Sequence, residues 1–159
     1  MKKLFVVCSL IFSLYACGFK PMYSNDLMIK TKEVWVAPIS GTNGIDLRNS
    51  LRAQLGDNDD EASAKYSLII DLQDSNKTFK GLQKTGDATW QEISIKAKYL
   101  LKENTSGKVL LNGSETAAES YTFVTDLVSA QSSQKNAEQN TIRLLADKIS
   151  MRVSAMVAK

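Results

Sequence analysis

Cys17 is the side chain best placed to do chemistry. It ends the stretch Leu14-Tyr15-Ala16-Cys17, which follows a basic head, Met1-Lys2-Lys3, and an uncharged apolar run from Leu4 to Tyr15. A positive head, an apolar middle and a small residue at the cut have the form of a secretory signal. The run is too short to span a bilayer as a helix, which takes about 20 apolar residues. Removing residues 1–16 takes Cys8 away, leaving Cys17 as the single mature cysteine with no internal disulfide to form. Its thiol then has two uses: acylation at the new amino terminus, or none, in a plainly secreted protein cut after Ala16.

Histidine is absent from the chain. That excludes His-based acid–base catalysis, Ser-His and Cys-His nucleophiles and nearly every zinc site. A hydrolase would have to use a carboxylate pair, for example Asp71 with Glu92 on neighbouring strands. Both acids fall on the faces turned away from the expected core, where ordinary surface acids also go. The expectation is a non-enzymatic protein without metal or cofactor. The acidic run Asp57-Asn58-Asp59-Asp60-Glu61 lacks the spaced oxygens and placed glycine of a calcium loop and reads as a solvated connection.

The segment around Cys17 resembles the lipobox of bacterial lipoproteins, whose pattern is Leu, a tolerant position, Ala or Gly, then Cys. Leu14, Ala16 and Cys17 fit it, and Tyr15 is bulkier than the usual occupant. The resemblance implies cleavage between Ala16 and Cys17 and acylation of the sulfur and the new amino group. Two or three acyl chains, at about 0.8 kcal/mol per buried methylene, hold a protein on a membrane where one does not. Gly18 after the cysteine is similar to lipoproteins passed on to the outer membrane. Residues 17–32 form the lipidated terminus and tether, and residues 33–159 a single domain.

The sequence carries 20 Lys and Arg against 17 Asp and Glu. Lys2 and Lys3 leave with the signal, so the mature chain is close to neutral and gives no electrostatic case for nucleic acid.

Periodicity supplies the elements that position these residues. Val34 to Ile39 is β-branched and aromatic, a first strand that ends at Pro38 or lies at an edge. Gly41-Thr42-Asn43-Gly44 is a turn, with Thr42 or Asn43 able to cap a helix. That helix carries Ile45, Leu47, Leu51 and Leu55 and stops at Gly56. Tyr66 to Gln73 alternates as a strand. Asp74 to Thr89 is polar, either an extended, twisting hairpin or a loop. Trp90 to Lys102 puts Ile93, Ile95, Ala97, Tyr99 and Leu101 on one face. Glu92, Ser94, Lys96, Lys98, Leu100 and Lys102 fall on the other. Asn104-Thr105-Ser106-Gly107 turns the chain into a strand from Lys108 toward Tyr121. From about Ser129 a long helix bears the stripe Ile142, Leu145, Ala146, Ile149, Val153, Met156 and Val157. Its polar face is not rich in Lys and Arg, so the stripe is expected on the sheet rather than on a lipid surface. The order β-α-β-β-β-α predicts an α/β (α+β) two-layer sandwich, two helices on one face of a four-stranded mixed sheet.

Cys17-Gly18-Phe19-Lys20-Pro21-Met22-Tyr23 resembles the mature start of the LPS-assembly lipoproteins (LptE), which commonly read Cys-Gly-Phe-x-Pro-Leu-Tyr. Leu47-Arg48-Asn49 with Leu51 looks like that family's Leu-Arg-Asn motif. Asp87-Ala88-Thr89 followed by Ala97, Tyr99 and Leu101 is similar to its central strand, and Ser120-Tyr121 and the last helix complete the order. Position 90 is Trp where the family often carries Arg, so an anion-binding role there does not carry over. The resemblance implies an outer-membrane lipoprotein acting as plug and folding partner of a large β-barrel (LptD-like). It also implies delivery of lipopolysaccharide to the cell surface and an anchor of covalent lipid on Cys17. The domain would sit on the periplasmic side or inside the barrel lumen.

Lipopolysaccharide presents phosphates and acidic sugars, which a local basic patch would meet. Lys96, Lys98 and Lys102 on one strand face are the first candidates, and Lys77, Lys80 and Lys84 the next. Exposed strand lysines also serve solubility and edge protection. The other binding role the same anchor would serve is a tethered periplasmic chaperone or pilot lipoprotein for another outer-membrane complex.

Overall fold

The computed structural model describes residues 31–82, 88–122 and 126–158. Within them, β1 (Val34–Val36), α1 (Thr42–Leu55), β2 (Tyr66–Leu72), β3 (Asn76–Leu82), β4 (Ala88–Glu103), β5 (Val109–Thr122) and α2 (Leu127–Val157) follow in chain order. The signal, Ala16, Cys17, the tether up to Lys30 and Lys84 lie outside the described residues.

β4 is the spine of the sheet. One of its edges carries β5 antiparallel from Trp90↔Thr122 to Lys102↔Val109. The other carries β2 and β3 end to end, β2 against residues 97–103 and β3 against residues 88–94. β1 pairs parallel with β2, the pairing that a helical crossover such as α1 permits. The five strands therefore stand in four ranks, because β3 continues the rank of β2. The polar segment after Asp74 thus contains a strand, as its hairpin reading allowed.

One extra residue separates the two strands of that rank. Leu72 pairs with Ala97 and Asn76 with Ser94, so four steps on one chain match three on the other. Such a bulge exchanges the faces. Even-numbered residues of β2 face the helices, whereas Lys77 on β3 does.

The helices cover one face. Val34, Val36, Leu68, Ile93, Ile95 and Leu101 of the sheet meet Leu47, Leu51 and Leu55 of α1 and Ile142, Leu145, Ile149 and Val153 of α2 in one buried core. Each fully buried Leu or Ile contributes about 1.5–3 kcal/mol. Ile45, grouped by its spacing with the α1 core residues, is instead 57% exposed. The α2 stripe also buries two polar residues. Thr141 Oγ1 donates to the Ala137 carbonyl at 2.8 Å, and Ser150 Oγ to that of Asp147 at 3.0 Å.

The start of α1 differs from the expected cap. Thr42 is already helical and Gly41 is the N-cap, at φ +81° with no side-chain cap bond. Space decides the next residues: a Cβ at Gly44 would lie 2.8 Å from Ile39 Cγ2 and from the Ile39 carbonyl oxygen. The helix stops at Gly56, whose N–H donates to the Arg52 carbonyl. Asp126 caps α2, its carboxylate accepting from Ser129 N at 2.8 Å; hydrogen bonding from the Ser129 side chain and then from this N–H holds the Asp126 pKa below the ordinary Asp value. No described helix is long and apolar enough to cross a membrane.

Candidate anion-binding face

Among the described residues, no element covers the face of the sheet opposite the helices. Pleating sends Lys96, Lys98 and Lys102 of β4 onto it together, spread over about 20 Å at about 3.3 Å per residue. Their strand neighbours are small or uncharged in most places: Thr116 opposite Lys96, Ser114 opposite Lys98 and Ser67 opposite Lys102. Asp71 stands across from Lys98 in register. Among the described residues none of the three amines forms an ion pair, and Lys96 and Lys98 are exposed.

The second group of lysines is not a patch. The bulge sends Lys77 to the helix side, where its amine lies 4.0 Å from Glu138 of α2. Lys80 is on the open side and pairs with Glu92 at 3.1 Å. Their charges are met within the fold, so the arrangement favours Lys96, Lys98 and Lys102 for an external anion.

The acids are also accounted for. Asp71 lies opposite Lys98, six residues along β4 from Glu92, which separates the two carboxylates by about 20 Å. A glycosidase pair needs about 5–9.5 Å, so these two cannot share a substrate bond. In the acidic loop, Asp57 and Asp59 both pair with the Arg52 guanidinium. Among the described residues no group of three or more Cys, Asp or Glu side chains gathers as metal ligands.

Two features escaped sequence reasoning. A polar cleft of about 330 Å³ opens between the start of α1 and α2, lined by Thr42, Asp46, Gln134 and Glu138 among others. At the far end of the sheet, Phe79, Trp90, Leu127 and Val128 are exposed by 52–74%. Phe79 and Trp90 lie far from Leu127 and Val128 in the sequence, so periodicity gave no sign of their exposure.

The profile of the lipopolysaccharide-assembly family LptE matches residues 31–153. The chain belongs to the LptE family. Solved structures share its architecture at low identity. A chain from Caulobacter crescentus CB15 described as a lipoprotein superposes with TM-score 0.68 at 15% identity, covering 84% of this chain and 96% of the other. The rare lipoprotein B of Shewanella oneidensis gives 0.55 at 14% identity, covering 77% and 92%. The minor lipoprotein of Acinetobacter baumannii gives 0.54 at 20%, covering 77% and 90%. At these identities the likeness is one of fold. No curated protein matches the sequence.

Membership in LptE assigns the chain, at the coarse level, to lipopolysaccharide assembly. It also gives the motif residues a structural meaning. Arg48 of the Leu-Arg-Asn motif is turned back onto β1, where its Nε donates to the Val36 carbonyl. The strand similar to the central LptE strand is β4, which pairs with β2, β3 and β5.

Proposed function

We propose that this LptE chain is an outer-membrane lipoprotein, held by acyl chains on Cys17, that plugs and helps to fold a large β-barrel translocon of the LptD type. In that position it assists delivery of lipopolysaccharide to the surface. The observation that carries the reading is the family match, which spans nearly the whole described domain. The open sheet face supports it: among the described residues it carries no helix and bears Lys96, Lys98 and Lys102 without an ion pair beside the apolar Ile69 and Leu100, and such amines suit the wet interior of a barrel. Lys96, Lys98 and Lys102 would meet lipid A phosphates as point charges. No catalytic step is required of the chain, and its role is binding and positioning.

The test of the lysine assignment is charge reversal. Lys96→Glu, Lys98→Glu and Lys102→Glu combined should weaken binding of purified lipopolysaccharide at least tenfold while circular dichroism stays unchanged. Equal binding by the triple variant would remove the face from the mechanism. The exposed end formed by Phe79, Trp90, Leu127 and Val128 favours one other reading, a tethered periplasmic chaperone or pilot that holds an apolar client of a different outer-membrane complex.

A further inference from the structure

Within the described residues, β5 is paired on one edge only. The hydrogen-bond alternation tells which groups it leaves free. Lys96 O accepts from Gln73 N, on the β2–β3 side, so Lys96 turns its backbone groups away from β5. Its partner Thr116 must then turn its own N–H and C=O outward. The Lys148 amine confirms this by donating to the outward carbonyl of Thr116 at 2.6 Å. The even-numbered residues from Asn112 to Thr122 therefore present their backbone groups at the edge, and all are exposed.

Natural edges of this length are blocked by Pro, by charged side chains, Lys above all, or by irregular pairing. β5 contains neither Pro nor Lys and its charges, Glu115 and Glu119, lie on the helix side; its pairing is irregular only at the Leu101/Lys102 end, and Lys148 guards a single carbonyl, that of Thr116, from which its amine moves aside when the copies pair. We propose that this edge pairs with β5 of a second copy of the chain, antiparallel, about a two-fold axis at Thr116. The occupant follows from self-complementarity. In that register the outward residues face small uncharged partners, Thr116 against Thr116 and Ser114 against Ala118, and Thr–Thr is a favourable cross-strand pair. On the helix side Glu115 faces Ala117 and Glu119 faces Gly113, so no acid stands directly opposite its own copy. Arg152 already pairs with Glu115 at 3.2 Å. Next to the edge, α2 exposes Leu144 and Met151 at i−4 and i+3 from Lys148, on the stripe that a second α2 would meet. An extended peptide would leave that stripe uncovered, whereas a second copy brings strand beside strand and helix beside helix. The pairing belongs to the free chain and does not depend on the plug reading.

The full-length protein in density-matched detergent with micelles in excess, followed by sedimentation equilibrium, should show a reversible dimer at tens of micromolar. Ala118→Pro removes an outward N–H without touching the bonds to β4 and should return it to monomer. A monomeric wild type over that range, or an Ala118→Pro dimer as strong as wild type, overturns the proposal. If Ala118→Pro fails to fold, oxidative cross-linking decides. Opposed Cα atoms in a hydrogen-bonded pair are about 5.5 Å apart, within disulfide reach. Thr116→Cys should then give a dimer band on a non-reducing gel that Thr78→Cys on β3 does not. No band from Thr116→Cys, or equal bands from both, overturns it.

Discussion

Arg48 Nε donates to the carbonyl oxygen of Val36 at 3.0 Å, tying the middle of α1 to the last residue of β1. The motif arginine thus satisfies a backbone acceptor at the point where the three-residue strand ends. Leu47 and Leu51 on either side of it are fully buried. Arg48→Ala should lower stability by about 1.5–3 kcal/mol, the range for hydrogen bonds to charged groups. The check is urea unfolding, with a lower midpoint and an unchanged slope.

Asn104 fastens the β4–β5 turn to the segment before β2. Its amide nitrogen donates to Ala64 O at 2.8 Å and Glu61 O at 3.2 Å, and its oxygen accepts from Ser67 Oγ at 2.6 Å. Ser67 is fully buried, so it has no solvent to turn to. Asn104→Ala should cost about 3 kcal/mol, at about 1 kcal/mol per bond. Amide exchange at Ser67 and Lys65 should quicken in step with the loss of global stability.

Gly113 faces Tyr99 across the helix side of the sheet. A Cβ there would lie 2.8 Å from the phenol oxygen and 2.9 Å from Cζ. Gly113→Ala should therefore displace the ring and cost about 1–3 kcal/mol, as overpacking does. Adding Tyr99→Leu should recover part of that loss, a non-additivity visible in a double-mutant cycle.

Alkaline pH should destabilise the fold through its tyrosines. Burial raises the pKa of the Tyr99 and Tyr121 phenols above the ordinary tyrosine value, with Glu115 adding to the effect at Tyr99, against Arg152, and Glu138 at Tyr121. A group whose value is raised on folding contributes stability below its unfolded value and loses it as pH climbs through the folded one. The window therefore opens near pH 10, the ordinary tyrosine value. Urea midpoints should be flat below it and fall above it, and Tyr99→Phe should flatten the fall.

Much of this architecture was readable from period alone. The alternation of Ile93, Ile95, Ala97, Tyr99 and Leu101 defined β4 because both faces of that strand have uniform demands. The i, i+3, i+4 stripe of α2 defined its buried side for the same reason. Boundaries were less legible. Thr42 looked like a cap, but it is already helical and the N-cap is Gly41 at positive φ. The bulge between Leu72 and Asn76 left no trace in composition, yet it decides that Lys77 rather than Lys80 faces the helices. Which lysines are neutralised was also hidden, since Lys77 meets a carboxylate on α2 far along the chain. Lys96, Lys98 and Lys102 were legible as a group because they need only the pleat of one strand to share a face.

The central claim is that this LptE chain works on a large outer-membrane barrel. Tagged co-purification from detergent-solubilised native membranes, with partners identified by mass spectrometry, tests it most directly, with Cys17→Ser run beside the wild type. The account predicts a near-stoichiometric LptD-like β-barrel with the wild-type protein, and loss of both acylation and the barrel from the Cys17→Ser chain. A wild-type protein that comes down alone, or with a soluble or inner-membrane complex, would contradict it.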